Sequence, residues 1–337
     1  MKILITGGQG FVGSYLCQEL LHHGHSVVSV DNYSKYGRII RPQDNHPNFT
    51  LYVEDVKTNR FLEICEQEKP DMIVAISALL GGIGFFHKYA YDLLAENDRI
   101  IANTFDAALS LYKQNILKRI IVLSSSMVYE STNTFPTIES DVKICAIPKS
   151  TYGFQKLNCE FYAKGAWEQY GLPYTILRPF NCVGVGEDAA ISEHEITSGN
   201  IKLMMSHVLP DLINKCLKGQ DPLHVLGKGN QIRCYTNGKD LARGIRLAIE
   251  SDEAINEDFN ISTPISTTVL ELAELIWNKI NPNKPFAYAS DPSFQYDVRK
   301  RVPDVHKAKS VLGFETQISL EESVDEVIEY MRAKELV

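Results

Sequence analysis

Tyr152 and Lys156 stand four residues apart in a stretch, 151–170, whose apolar spacing predicts a helix. Four residues is about one turn, so the two side chains share a face. An ammonium so placed stabilises a phenolate, which suits a tyrosine to removing a proton near neutral pH. Taken alone, the pair reads equally well as a solvated helix face. Its context changes that: the run IIVLSSSMVY at 120–129 is a buried-type strand that ends in three serines. A serine hydroxyl there, at the carboxyl edge of a sheet, can share the tyrosine's proton.

Gly7, Gly10 and Gly13 form GxxGxxG after the strand KILIT and before a helix beginning near residue 12. Glycines so spaced permit a tight turn, close approach of a pyrophosphate and close helix–strand packing, while the helix N-terminus attracts the anion. The turn alone could be structural. Asp31, closing the second strand SVVSVD, makes it a dinucleotide site, because a carboxylate there accepts from the adenosine ribose hydroxyls and repels a 2′-phosphate. NAD is therefore the expected cofactor, although Lys35, Arg38 and Arg41 follow closely and would attract a 2′-phosphate. A bound oxidised nicotinamide adds positive charge near the tyrosine and favours its phenolate further.

These residues need a doubly wound sheet to position them. Strands near 50–53, 71–76, 119–124 and 173–178 alternate with helices at 58–68, about 90–114 and 151–170, which predicts an α/β Rossmann-type parallel sheet. After Pro179 the alternation stops: 184–200 reads as a long loop, and helices are expected at 203–218, 239–250, 268–280 and 320–334. The expected division is an NAD-binding domain over 1–180, joined by a strand returning near 230–262, and a smaller mixed α/β substrate domain over 181–337. The 44% hydrophobic content suits an ordinary globular core, and a net charge of −8 disfavours a nucleic-acid binder. No signal peptide and no membrane span are read, and the seven scattered cysteines lack metal-ligand spacing. A cytoplasmic protein with reduced thiols and no metal is the expectation.

The set GxxGxxG, Asp31, Asn97, the serine-ended strand, YxxxK and RPFN at 178–181 resembles the extended short-chain dehydrogenase/reductase family, and within it the NAD-dependent sugar-nucleotide epimerases and dehydratases. The segments GKGNQIRCYTNGKD (227–240) and RVPD (301–304) resemble its substrate-domain and late phosphate-binding motifs. The resemblance implies Tyr152 as base, Lys156 as its partner and nicotinamide-ribose ligand, and Ser125, four residues before Tyr129, as the third catalytic group. It implies cofactor contacts from Gly7, Gly10, Phe11, Val12, Gly13, Asp31, Asn32, Ser34, Asp55, Val56, Ile76, Ser77, Ala78, Asn97, Ser124 and Pro179 besides Tyr152 and Lys156. The substrate, a nucleotide-diphosphate sugar, would meet Gly82, Ile83, Ser125, Ser126, Met127, Tyr152 and His207. Asn181, Arg233 and Arg301 would grip its diphosphate, arginine suiting bidentate phosphate contacts. A homodimer is implied through helices around 97–113 and 151–170, with Ile100, Ile101, Phe105, Phe161 and Trp167 as surplus apolar residues.

Oxidation at sugar C4 is the family's shared first step. The 4,6-dehydratases carry Asp-Glu after the catalytic Ser/Thr, where this chain has Ser126 and Met127, neither an acid/base residue. The loop LLGGIGFFH (79–87) is similar to that of GDP-mannose 3,5-epimerases, whose catalytic cysteine and lysine are replaced here by Met127 and a residue near Val208. Cys182, His207 and His87 remain as candidates for ring deprotonation. C4 epimerisation, as in UDP-galactose 4-epimerases, needs only the Ser/Tyr/Lys set and is the expected reaction. The alternatives are a C4 dehydrogenase, a 4,6-dehydratase, a simple alcohol or steroid dehydrogenase, and a non-catalytic NAD-binding protein, whose relatives lose the tyrosine or lysine that this chain keeps.

Overall fold

Seven runs rich in branched apolar residues pair into one parallel sheet: β1 (Lys2–Thr6), β2 (Ser26–Asp31), β3 (Phe49–Val53), β4 (Met72–Ala75), β5 (Arg119–Leu123), β6 (Tyr174–Pro179) and the later strand Glu257–Ile261. The computed structural model describes residues 1–80, 88–187, 207–292 and 298–335, with the backbone of the short strands Thr197–Ser198 and Ile201–Lys202. Spatial order runs Glu257–Ile261, β6, β5, β4, β1, β2, β3. The chain builds outward from β1 in one direction and then, from β4, in the other. The cleft between the carboxyl ends of β1 and β4 is thus the place where a doubly wound sheet binds ligands.

Helices cover both faces. α1 (Phe11–His22) lies on one face, and α2 (Asn59–Glu68), α3 (Ala90–Lys113) and α4 (Thr151–Tyr170) lie on the other. The helices α5 (Val208–Leu217), α6 (Gly238–Glu250), α7 (Val269–Ile280), α8 (His306–Leu312) and α9 (Leu320–Glu335) follow. Leu241 and Ile245 of α6 pack with Leu16 and Leu20 of α1, and Phe259 and Ile261 of the returning strand join the same core. Residues 238–261 therefore complete the sheet layers, although they follow the break in alternation. A separate core joins α5, α7 and α9 through Leu212, Ile213, Leu272, Trp277 and Val324.

Local chemistry sets the ends. Ser150 caps α4 by accepting from the Gly153 N–H at 3.0 Å, and Gly171 ends that helix in the left-handed region. A capping box of Thr268 and Glu271 starts α7. α8 was not anticipated: seven residues are too few to show a helical period, and burial of Ala308 and Leu312 against the sheet core fixes it instead. α5 begins at Val208, later than 203, with His207 as its cap residue.

Candidate active site

The glycine turn closes on itself. Gly7 donates to the Val30 carbonyl at 2.8 Å, and the Gly10 N–H donates to the Gly7 carbonyl at 3.1 Å. A Cβ at Gly13 would stand 2.1 Å from the Gly7 carbonyl oxygen, so any other residue would push α1 off the turn. Over Gly10 a Cβ would meet only that carbonyl within 4 Å, which leaves the start of α1 open to a diphosphate. Asp31 accepts from the backbone N–H of Gln9 at 2.9 Å and of Tyr33 at 2.8 Å. Burial pushes its carboxyl above the ordinary value, opposed by these donors and by the charge of Arg41.

The rim beyond β2 is tied together by polar side chains. Asn32 donates to Asp55 at 3.0 Å and accepts from the Ser34 N–H, also at 3.0 Å. Val56 is buried beside them. Past β4, the Thr6 hydroxyl accepts from the backbone of Ile76 at 3.1 Å and of Ser77 at 3.2 Å, and Ala78 follows in the same segment. These placements hold Ile76–Ala78 beside the glycine turn; a Cβ on Gly7 would lie 2.9 Å from Ser77 Oγ.

Two expected cofactor contacts are engaged elsewhere. Asn97 is buried and spends both ends of its amide on the Leu79 backbone, at 2.6 and 3.0 Å. It fixes the 76–79 segment beside the glycine turn. Ser124 turns its hydroxyl inward to Glu160 at 2.7 Å, because Glu160 is fully buried and needs donors.

At the end of β5, Ser125 begins a short 3-10 turn, Ser126–Tyr129, and its Oγ accepts from the Met127 N–H at 3.2 Å. Ser126 and Met127 are buried within that turn. Tyr152 lies in the first turn of α4, and Lys156 Nζ sits 6.0 Å from the centre of its ring while donating to the Leu123 carbonyl at 3.0 Å. Gly153 makes the junction: a Cβ there would come within 2.8 Å of the Met127 carbonyl and within 2.9 Å of Glu130. The helix bearing Tyr152 and the turn bearing Ser125 are thereby pressed together at the carboxyl end of β5.

Beyond β6, Pro179 pairs in register with Ile261. Asn181 holds a positive φ of 30°, and its buried amide nitrogen has no hydrogen-bond partner among the described residues. Strain and an unmet buried donor together set Asn181 apart from an ordinary loop residue. Arg233 and Arg301 come from distant segments, yet Ile232 pairs with Lys300 in a parallel bridge, which sets 233 beside 301 on the same face. Arg233 also donates to the Ile232 carbonyl at 2.9 Å, and Arg301's backbone N–H does so at 3.0 Å. His207 pairs through Nδ1 with Glu187 at 2.5 Å, and its ring lies 6.5 Å from that of Phe11. Val12 follows Phe11 in the first turn of α1. Gly82, Ile83 and His87 lie outside the described residues. Burial, reinforced by the charge of Glu187, pushes the Cys182 thiol far above its ordinary value, so it offers no base.

Several supporting residues escaped the sequence reading. Glu160 and Gly153 look like ordinary helix residues, and Glu187 sits in a segment without periodicity. Gly153, inside YGFQK, carried the one available signal, since glycine in a helix interior usually records a close approach.

The comparisons agree with this geometry. A UDP-N-acetyl-alpha-D-glucosaminuronate decarboxylase of Bacillus cytotoxicus is 30% identical over 98% of this chain and 98% of its own length. Among solved structures, a UDP-glucose 4-epimerase of Thermotoga maritima with UDP-glucose has a TM-score of 0.83 at 28% identity, covering 99% of both chains. A UDP-N-acetylglucosamine 4-epimerase of Methanobrevibacter ruminantium has a TM-score of 0.79 at 28% identity, covering 99% of this chain and 98% of that one. A family model matches residues 3–262, which agrees with the open glycine turn, Asp31 at the end of β2 and the Ser-Tyr-Lys edge, and it shows that this chain belongs to the NAD dependent epimerase/dehydratase family.

Proposed function

We propose that the protein interconverts C4 epimers of a nucleotide-diphosphate sugar, a UDP-sugar in the first instance, through a 4-keto intermediate. The observation that carries this reading is the Tyr152–Lys156–Ser125 set at the carboxyl end of β5, beside a turn that suits a dinucleotide, with Ser126 and Met127 where elimination would need an acid and a base. Bound NAD supplies reversible hydride acceptance at C4. Tyr152 takes the C4 hydroxyl proton and returns it after the ketone is reduced, with the Ser125 hydroxyl bridging the two oxygens. The Lys156 ammonium stabilises the phenolate meanwhile. Asn181, Arg233 and Arg301 hold the diphosphate while the ketosugar turns to present its other face. A catalytic role for Cys182 is not part of the reading, given its inert thiol.

A second reading comes from the decarboxylase relative. In a uronic sugar, a C4 ketone makes the C6 carboxylate that of a β-keto acid; it loses carbon dioxide to leave an enolate, and a solvent-derived proton enters at C5 before the ketone is reduced. Incubation with UDP-hexoses and UDP-uronic sugars in deuterated water separates the outcomes. A C4 epimer free of deuterium and without accumulating NADH supports epimerisation, and a UDP-pentose with released carbon dioxide identifies the decarboxylase. Deuterium at C3, deuterium at C5 of a product that keeps its C6, loss of water, or a stable ketone with stoichiometric NADH overturns both.

The same proposal includes a cytoplasmic homodimer. All seven cysteines are unpaired, as in a reducing compartment. No helix among the described residues is long and apolar enough to cross a membrane. On the outer side of α4, Phe154 and Phe161 are exposed, Phe161 by 62%, and Trp167 and Tyr170 are exposed toward its C-terminal end.

A further inference from the structure

Arg41 lies ten residues beyond Asp31 and is 94% withdrawn from solvent, with only 6% exposed. Its Nε donates to the Gln9 carbonyl and its Nη1 to the Gly186 carbonyl, each at 3.1 Å. Nη2 is buried and has no hydrogen-bond partner among the described residues. Asp44, the neighbouring carboxylate, accepts instead from Arg41's backbone N–H at 2.8 Å and from the Gln9 amide at 2.8 Å. In the planar fork of a guanidinium, Nη2 sits between the Nε and Nη1 edges. It therefore points into the gap bounded by Gln9 on the glycine turn and Gly186 on the strap that follows β6. The start of α1 borders the same gap: Gly10 provides no side-chain cap, and the ground above it is open. A buried cationic donor left without an acceptor is costly, and a helix N-terminus facing it calls for the same partner, an anion.

We propose that Arg41 Nη2 binds a non-bridging oxygen of the cofactor's diphosphate, closing the dinucleotide in from the side opposite the helix N-terminus. Through Gly186 the same guanidinium ties cofactor retention to the strap bearing Glu187, and through Glu187 to His207. A device that retains NAD between half-reactions suits an enzyme that must return its hydride. The inference rests on the NAD family of the chain, not on the choice between epimerase and decarboxylase. The sugar nucleotide also carries a diphosphate, so the test separates the two sources.

Calorimetry on protein stripped of nucleotide would measure NAD, ADP-ribose, adenosine and UDP against parent and Arg41→Met. Loss of one charge-assisted bond predicts NAD and ADP-ribose weakened about ten- to a hundredfold, with adenosine and UDP within about threefold of parent. Equal weakening of adenosine and ADP-ribose would reduce Arg41 to a structural tie. Unchanged NAD affinity, or a loss confined to UDP, would also overturn the assignment. Should Arg41→Met not fold, Arg41→Gln carries the same ADP-ribose-to-adenosine comparison.

Discussion

At the scale of single residues, the edge of β5 decides the chemistry, and small changes there have separable effects. Tyr152→Phe removes the proton acceptor but none of the glycine turn, so kcat should fall about 10²–10⁴-fold while NAD affinity, read by calorimetry, stays near parent. Turnover at the parent rate would end the assignment. Gly153→Ala acts through packing: the new methyl meets the Met127 carbonyl and Pro148 at 2.8 Å, both poorly placed to retreat. Overpacking of this kind should cost about 1–3 kcal/mol in urea unfolding and move Tyr152 off Ser125, lowering kcat more than it raises KM. A variant with parent stability and kcat would show that the junction yields.

At the scale of elements, a buried ionic cluster joins β6, α4 and the returning strand behind the catalytic edge. Arg178 is fully buried and makes two 2.8 Å bonds to Glu160 of α4 and a 2.7 Å contact with Asp258 of Glu257–Ile261. It also donates to the Tyr129 hydroxyl, which itself donates to Asn260 at 3.0 Å. Arg178→Met strands Glu160 without its main partner, so unfolding should become easier by about 3–5 kcal/mol. Asp258 gives the cluster a pH dependence. Burial raises its carboxyl, but Arg178 and Lys307 outweigh that and hold it below the ordinary value. A carboxylate whose folded pKa is depressed contributes stability above the unfolded value near 4, and that contribution is lost as pH falls through the folded one. Asp258→Asn should therefore cost about 1.5–3 kcal/mol at pH 7, and the two stability curves should converge as pH falls below the folded value. Parallel curves across that range would remove Asp258 from the acid limb.

At the scale of the whole molecule, the distribution of apolar residues bears on assembly. Ile101 and Phe105, expected as surplus, face the sheet and are buried in its core. The apolar residues left outside on α4 include Phe161 and Trp167. If α4 forms the centre of a twofold interface, Phe161→Glu should convert a dimer of about 76 kDa, twice the 37.9 kDa chain, into monomers in light scattering. A parent protein that is monomeric at micromolar concentration would exclude this arrangement.

What the sequence determined by itself is what local rules encode. Parallel strands buried on both faces read as apolar runs, and the α4 boundaries follow from Ser150 and Gly171, so the sheet and its main helices were legible before any coordinates. The Gly7–Gly13 turn, Asp31 and YxxxK were legible because each motif sits within one strand–helix unit. Tertiary structure alone decided the contacts between distant segments. It placed Arg233 beside Arg301 through the Ile232–Lys300 bridge, turned Asn97 onto Leu79 and Ser124 onto Glu160, and buried Arg41 between Gln9 and Gly186. No periodicity records such pairings. Each is set by which buried polar group must find a partner once the layers have closed, and that depends on the whole chain.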